Sequence, residues 1–273
     1  MHRNQKRFNT FRQGRISARK EARKQLVIRN NLEKLFFKRL NTLFRKFVRV
    51  QMFLYKEYGV YESDIATASL NEDLFPLTLA HYKRVFKIIY KNNEDKYYNT
   101  TKNQEAFVFG RSVDFEKLVE DYFNTRVLYL AGISGRLAKR ISAIIEEGRA
   151  NNLTLDQIAR SVSDNFLPIS RSRAALIART ETHNASSYAN HTYHKQVQTD
   201  LGLNMVKKWV STNDLRTRPA HANANGQTVN MDEDFEVGGA PMSFAGDSRG
   251  GAKNVVNCRC VIIYSDVEDI VLD

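Results

Sequence analysis

Hydrophobic residues recur every three or four positions over a long stretch near the start of the chain. Between Ala18 and Tyr58 this series comprises Leu32, Phe36, Leu40, Leu43, Phe47, Val50 and Leu54. Such spacing places side chains on one face of an α-helix. The pattern therefore predicts one long amphipathic helix over residues 18–58. Its other faces carry basic residues, namely Arg29, Lys34, Lys38, Arg45 and Arg49.

The same spacing predicts further helices in the first half of the chain. The second helix covers about Leu79–Asn92, the third covers Phe115–Leu130, and the fourth covers Arg136–Glu147. Gly132 and Gly135 flank the join between the last two. Because glycine weakens a helix, we expect two separate helices here.

Two signals mark helices after residue 150. Thr154 stands three residues before Gln157, which is the spacing of a capping box, and the helix that it begins is expected to end at Pro168. The stretch Ser172–Val197 contains neither glycine nor proline and predicts another helix, which ends before Gly202.

After Gly202 the composition favours short strands and turns. The strand candidates are Met205–Ser211, Thr228–Asn230 and Val255–Tyr264. The sequence therefore predicts an α+β fold, with a mostly helical N-terminal region followed by a small C-terminal domain of short strands and loops. We divide the chain into a basic flexible tail (1–17), a helical docking region (18–134), a helical segment leading into the C-terminal domain (135–204), and a small α+β domain (205–273).

Positive charge is concentrated at the start of the chain. Residues 1–50 hold 16 Lys or Arg and only two acids, Glu21 and Glu33, so they carry +14 in a chain of net charge +12. A basic arm on a neutral body predicts a polyanionic partner, either the DNA backbone or an acidic protein surface. The candidate DNA-binding residues are Arg3, Lys6, Arg7, Arg12, Arg15, Arg19, Lys20, Arg23 and Lys24. We expect no membrane partner, because the chain lacks a long uninterrupted apolar run.

Polar residues at fixed intervals in the last 70 residues are the candidates for chemistry. They are Trp209, Asp214, Arg218 and His221, followed by Asn257, Cys258, Arg259 and Cys260. His221, Cys258 and Cys260 are zinc-ligand types, and Asp214 could complete a tetrahedral set, so a structural zinc is the one cofactor that the sequence suggests.

Other interpretations of these residues stay open. The two cysteines, whose spacing differs from that of most closed zinc sites, could be small buried core residues of a strand. Asp214, Arg218 and Arg259 could form a network of hydrogen bonds and ion pairs that ties a loop together. Trp209 is expected in the core. We predict no catalytic residue, since no nucleophile or phosphate-binding glycine pattern accompanies them.

Three further histidines, His183, His191 and His194, fall within one predicted helix. His183 and His191 would lie about 12 Å apart along its axis, which is too far for one metal ion. We therefore expect surface or packing histidines.

The motif W-x4-D-x3-R-x2-H, a Gly-Gln turn, a Gly-Gly pair, Gly-Asp and a closing NCRC together resemble the phage Mu F-like minor head protein family, which has a head morphogenesis domain. The similarity includes the preceding segment Ile177–His191 and covers about residues 135–264. It implies a minor head protein that acts in procapsid assembly near the portal and contacts DNA during packaging or ejection.

The partners that this resemblance implies are the portal protein and a major capsid or scaffold protein. Its implied location is the capsid interior, and the host cytoplasm during assembly. Two alternatives stay open from the residues themselves. One is a nucleic-acid-binding module without a capsid role. The other is a metal-dependent hydrolase or nuclease.

Overall fold

Four long helices make up most of the structure, a computed structural model that describes residues 18–97 and 114–267. They are α1 (Ala18–Tyr58), α2 (Ser63–Tyr97), α3 (Phe115–Ala150) and α4 (Leu155–Leu201). The tail predicted at residues 1–17 lies outside the described residues. Within the described ranges, none of the helices combines the length and the apolar character needed to cross a bilayer.

Helix α1 has the predicted bounds, but its buried face departs from the predicted stripe near the end. Val50 and Leu54 are exposed, and Met52 and Tyr55 are buried in their place. The buried positions thus follow the 3.6-residue period of the helix. Arg29, which the sequence places on the basic face, is also buried, whereas Lys34, Lys38, Arg45 and Arg49 are exposed as expected.

Two predicted breaks in the helices are wrong. Helix α3 continues through Gly132 and Gly135, and α4 continues through Pro168. Glycine costs about 1 kcal/mol and proline about 3 kcal/mol inside a helix. Burial on both sides of each position, for example at Phe166 and Ala174 around the proline, offsets that cost. Helix α2 likewise begins earlier than predicted and contains Pro76.

The predicted start and end of α4 are confirmed. The backbone N–H of Thr154 donates to Oε1 of Gln157 at 2.8 Å, and that of Gln157 donates to Oγ1 of Thr154 at 3.3 Å. These reciprocal bonds form the capping box. At the other end Gly202 has φ +62°, a left-handed conformation that suits glycine after the last helical turn.

The chain forms two compact units. The first, the helical unit, consists of residues 33–83 and 115–179. Its core is a continuous cluster of aliphatic and aromatic side chains, among them Phe36, Leu40, Phe44, Leu70, Leu74, Leu137, Ile141 and Phe166. The second, the mixed unit, comprises the described parts of residues 1–32, 84–114 and 180–273.

The mixed unit contains the strands, which are all antiparallel. A three-stranded sheet has the order β2 (Thr228–Asn230), β1 (Met205–Val210), β5 (Val261–Asp266). Two short strands, β3 (Phe235–Glu236) and β4 (Pro241–Met242), form a separate pair. Short helices α5 (Pro219–Asn223) and α6 (Gly251–Val255) and a 3-10 turn at Ser248–Gly250 complete the unit. The predicted α+β fold class is therefore confirmed.

The last predicted strand begins too early. Val255 ends α6, and Asn257 adopts a left-handed backbone with φ +61°, so the strand starts only at Val261. The N–H of Asn257 donates to Oγ1 of Thr180 at 3.1 Å, which holds this turn in place. The roles assigned to the four segments of the sequence stay predictions.

Two side chains of β1 form the core under the sheet. Trp209 is fully buried, with its ring edge-on to His221 at 5.7 Å and to Phe235 at 5.4 Å. The expectation of a core tryptophan is confirmed. Lys207 is also fully buried; its Nζ donates to the carbonyl of Ser243 at 2.9 Å, and burial lowers its pKa to about 8.

Candidate metal centre

His221, Cys258 and Cys260 bring their side chains together in the mixed unit. Nδ1 of His221 lies 3.3 Å from Sγ of Cys260 and 3.6 Å from Sγ of Cys258, and three ligand atoms, one from each residue, lie within 4.8 Å of one another. All three residues are buried, at 2% exposure. In a tetrahedral zinc site the ligand atoms are about 3.5–3.8 Å apart, given the usual Zn–S and Zn–N bonds. The spacing therefore fits a metal without rearrangement of the fold.

Local backbone geometry explains how the three residues meet. Pro219 begins α5 directly after an extended Arg218, so His221 lies in the first turn. Nη2 of Arg218 donates to the carbonyl of Val256 at 2.5 Å, which joins α5 to the turn before the cysteines. Cys258 and Cys260 lie before the strand that begins at Val261, so they are not residues of a strand, and the turn itself directs both thiols to His221.

Arg29 and His183 adjoin this cluster. Nη1 of Arg29 lies 2.5 Å from Nδ1 of His183, and the guanidinium also donates to the carbonyls of Arg259 at 3.0 Å and Cys260 at 3.3 Å. A guanidinium can only donate, so Nδ1 accepts and the neutral ring keeps its proton on Nε2. Burial lowers the pKa of His183, which favours this neutral form.

The pKa values of the two thiols shift in opposite directions. A hydrogen bond from Cys260 lowers the pKa of Cys258 well below its usual value, with His183 and His221 acting in the same direction and burial opposing them. The same hydrogen bond, together with burial, raises the pKa of Cys260. The thiolate, which is the form that binds metals, is therefore favoured at Cys258 over Cys260.

Asp214, expected as a fourth ligand, does not lie in the cluster. Its two oxygens accept from Nη1 and Nη2 of Arg259 at 2.5 and 2.7 Å, and Oδ1 also accepts from the N–H of Arg216 at 3.0 Å. The Arg259 guanidinium holds the pKa of Asp214 far below its usual range. The ion-pair interpretation of Asp214 and Arg259 is therefore the correct one, and the tetrahedral set that includes Asp214 is wrong.

Histidines 191 and 194 both pack against aromatic rings. The ring of His194 stacks on Tyr264 at 4.1 Å, whereas that of His191 lies 5.4 Å from Phe244. Burial lowers the pKa of His191 to about 4, so it is neutral at physiological pH. These contacts confirm packing roles for both. Sequence reasoning missed the place of His183 beside the cysteines, because it compared the three histidines only with one another.

A second polar cluster, centred on Arg249, closes the loop after β4. Its guanidinium donates to both oxygens of Asp234 at 2.7 and 2.9 Å and, through Nε, to Oδ2 of Asp247 at 3.0 Å. That same Asp247 oxygen accepts from the N–H of Ser243 at 2.8 Å. The hydrogen bonds from Arg249 lower the pKa of Asp234 to about 2.

Replacing Asp234 with asparagine is expected to destabilise the protein at neutral pH but not in acid. The folded pKa of Asp234 is depressed, so its ion pair with Arg249 stabilises above the unfolded pKa of about 3.9. That contribution, about 1 kcal/mol for a partly exposed pair, is lost as the pH falls from about 4 towards 2. Lys207 is the other cation that lowers this pKa. Thermal melts of both proteins from pH 7 to pH 2 should therefore converge, and a constant difference would contradict the assignment.

The candidate DNA-binding residues fall in two groups. Arg19, Lys20, Arg23 and Lys24 lie on the first turns of α1 and are exposed. Arg3, Lys6, Arg7, Arg12 and Arg15 lie outside the described residues.

Comparisons with known proteins converge on the part of the chain that contains this site. Residues 139–263 match the model of the family described as Phage Mu protein F like protein. Minor head protein GP7 of Bacillus phage SPP1 is 27% identical over 259 residues, which cover 85% of this chain and 80% of that protein. No solved structure gives a significant match.

A second relative has a different name. NAD(+)--arginine ADP-ribosyltransferase EFV of Enterococcus faecalis (strain ATCC 700802 / V583) is 32% identical over 131 residues, 46% of this chain. The chain spans only 26% of the length of that protein. With Trp209, His221 and the closing NCRC inside the matched residues 139–263, this part of the chain is similar to the phage Mu F-like family, and the chain as a whole is similar to GP7 over most of its length.

Proposed function

We propose that this chain is a minor head protein of a phage, a structural component that acts in head morphogenesis and is carried in the virion. The observation that carries the proposal is the similarity to GP7 of phage SPP1, a protein named as a minor head protein, because it extends over 85% of this chain. The similarity to GP7 extends well beyond residues 139–263, so it also covers part of the helical N-terminal region.

The chain acts near the portal, where it meets the portal protein and a major capsid or scaffold protein, and its basic N-terminal region contacts DNA. The charge of +14 in residues 1–50 supports this location, since DNA passes the portal during packaging and ejection. The exposed cations Arg19, Lys20, Arg23 and Lys24 follow one another on the first turns of α1. A row of cations without base-reading motifs suits contact with phosphates.

The role is structural and not catalytic. His221 and both thiols are 2% exposed, so a substrate would have no direct access to them. Asp214, the carboxylate that might have worked with His221, is bound to Arg259 instead. The similarity to an ADP-ribosyltransferase covers about a quarter of that enzyme and does not extend its activity to this chain.

Co-expression of the full chain with the portal, scaffold and major capsid proteins of its phage tests the proposal. We expect the chain to sediment with procapsids and to co-purify with the portal protein at low and moderate salt. A chain that sediments with procapsids formed without the portal protein would overturn the portal location alone. A chain absent from procapsids of every composition would overturn the head protein role.

A further inference from the structure

We propose that the mixed unit binds one Zn²⁺ through Nδ1 of His221 and the sulfurs of Cys258 and Cys260, with Arg29 and His183 as the hydrogen-bonded shell around it. The proposal rests on the contacts within this unit and does not depend on the head protein role. It assigns a metal to the site, names its ligands, and replaces Asp214 with a different set of supporting residues.

The donor set favours Zn²⁺ over Mg²⁺ and Ca²⁺. Two thiolates and an imidazole are soft or borderline ligands, which suit Zn²⁺ and exclude Mg²⁺ and Ca²⁺. The observed separations of 3.3 and 3.6 Å between Nδ1 of His221 and the two sulfurs are close to the edge of a zinc tetrahedron, about 3.5 Å. All three ligands are buried, so the site is already desolvated.

The proposed ligands also balance the charge of the ion. Metals bind thiolates, so binding releases the thiol protons of both cysteines to solvent. A zinc ion bound to two thiolates and a neutral histidine has no net charge.

His183 supports Cys258 and does not itself bind the metal. Arg29 can only donate to Nδ1 of His183, so the proton of the neutral ring is on Nε2 and that nitrogen has no lone pair for a metal. The ring can instead donate this proton in a hydrogen bond to the Cys258 sulfur, with which it interacts. Ordered partners of this kind fix first-shell ligands in metal sites.

The bound ion would connect segments that lie far apart in the sequence. His221 belongs to α5, and both cysteines lie in the turn just before β5. Through Arg29 and His183 the site also reaches α1 and α4. The strands of the mixed unit have only two to six residues, so few hydrogen bonds join them. A metal ion that connects its segments would therefore contribute substantially to the stability of its fold.

Metal content of the full chain, produced without a polyhistidine tag, is the first test. Elemental analysis should find about one zinc per chain in the wild type, and the His221→Ala and Cys260→Ser variants should lose it. His194→Ala is the matched control, since His194 is equally buried on α4 but stacks on Tyr264. It should keep its zinc, as should Asp214→Ala. A wild type without zinc that also fails to take it up from solution would overturn the proposal.

Cobalt binding tests the ligands without relying on variants that fold poorly. Co²⁺ added to metal-free wild-type protein should give intense visible bands of a tetrahedral ion and a near-ultraviolet band from thiolate to cobalt. Cys260→Ser, which loses zinc on purification, should take up Co²⁺ only when it is added in excess, and its thiolate band should then have about half the wild-type intensity, since one of two sulfurs remains. Weak octahedral bands, or a thiolate band of unchanged intensity in the variant, would overturn the assignment of both sulfurs.

Variants of Arg29 and His183 show whether these residues support the ligands or bind the metal themselves. Arg29→Met and His183→Ala should still bind zinc, with about 10–100-fold weaker affinity, measured by competition with a chelator. If His183→Ala lost the metal as completely as His221→Ala, His183 would be a ligand and its assignment as a donor to Cys258 would be overturned. Unchanged affinity in both variants would overturn the supporting role.

Discussion

Replacing Trp209 with alanine is expected to lower the free energy of unfolding by about 3–5 kcal/mol, as for other large buried aromatic residues. The indole is fully buried on β1 and lies edge-on to His221 and Phe235. Its loss would leave a cavity beside the candidate metal centre. Urea denaturation followed by circular dichroism measures the change.

Leu215 provides a control for this variant in the same unit. Its side chain is fully exposed, so Leu215→Ala should change the free energy of unfolding by no more than about 0.5 kcal/mol. A loss below about 1 kcal/mol in Trp209→Ala would show that the indole does not hold the core of the mixed unit. The head assembly role predicts further that Trp209→Ala is depleted from procapsids, while Leu215→Ala is retained.

Changing the nine candidate DNA-binding residues of the basic arm to glutamine should remove most of the affinity for duplex DNA at 50 mM salt. If six to ten cations of the wild type meet phosphates, its affinity should fall about 10³–10⁵-fold between 50 and 200 mM salt. Each contact removed should reduce the slope of log affinity against log salt by about 0.9. Fluorescence anisotropy with duplexes of unrelated sequence measures both quantities, which should not depend on the sequence.

The control for this variant removes positive charge from another part of the chain. Lys56, Lys83 and Lys195 are paired with Asp156, Glu116 and Asp232, so changing these three lysines to glutamine should leave DNA binding nearly unchanged. Equal loss in both variants would mean that only total charge matters. Wild-type protein that binds DNA without salt dependence, or not at all, would favour an acidic protein surface as the partner of the arm.

Helix boundaries show where local sequence patterns were sufficient. The apolar period gave the bounds of α1, and the capping box at Thr154 and the glycine at residue 202 gave both ends of α4. The breaks expected at Gly132, Gly135 and Pro168 failed, because a local propensity of 1–3 kcal/mol is about what burial of one or two large apolar side chains provides. Burial depends on neighbours that the local pattern does not contain.

The sequence by itself determined the family resemblance, the α+β fold class, and the residue types that meet in the candidate metal centre, because these follow from motifs and periods within short stretches. Only the tertiary structure decided which side chains complete the site. It removed Asp214, which Arg259 binds, and added Arg29 and His183. Arg29 is 154 residues from His183 and 231 from Cys260. Contacts between residues so far apart in the sequence arise from packing of the whole chain, so no local sequence pattern predicts them.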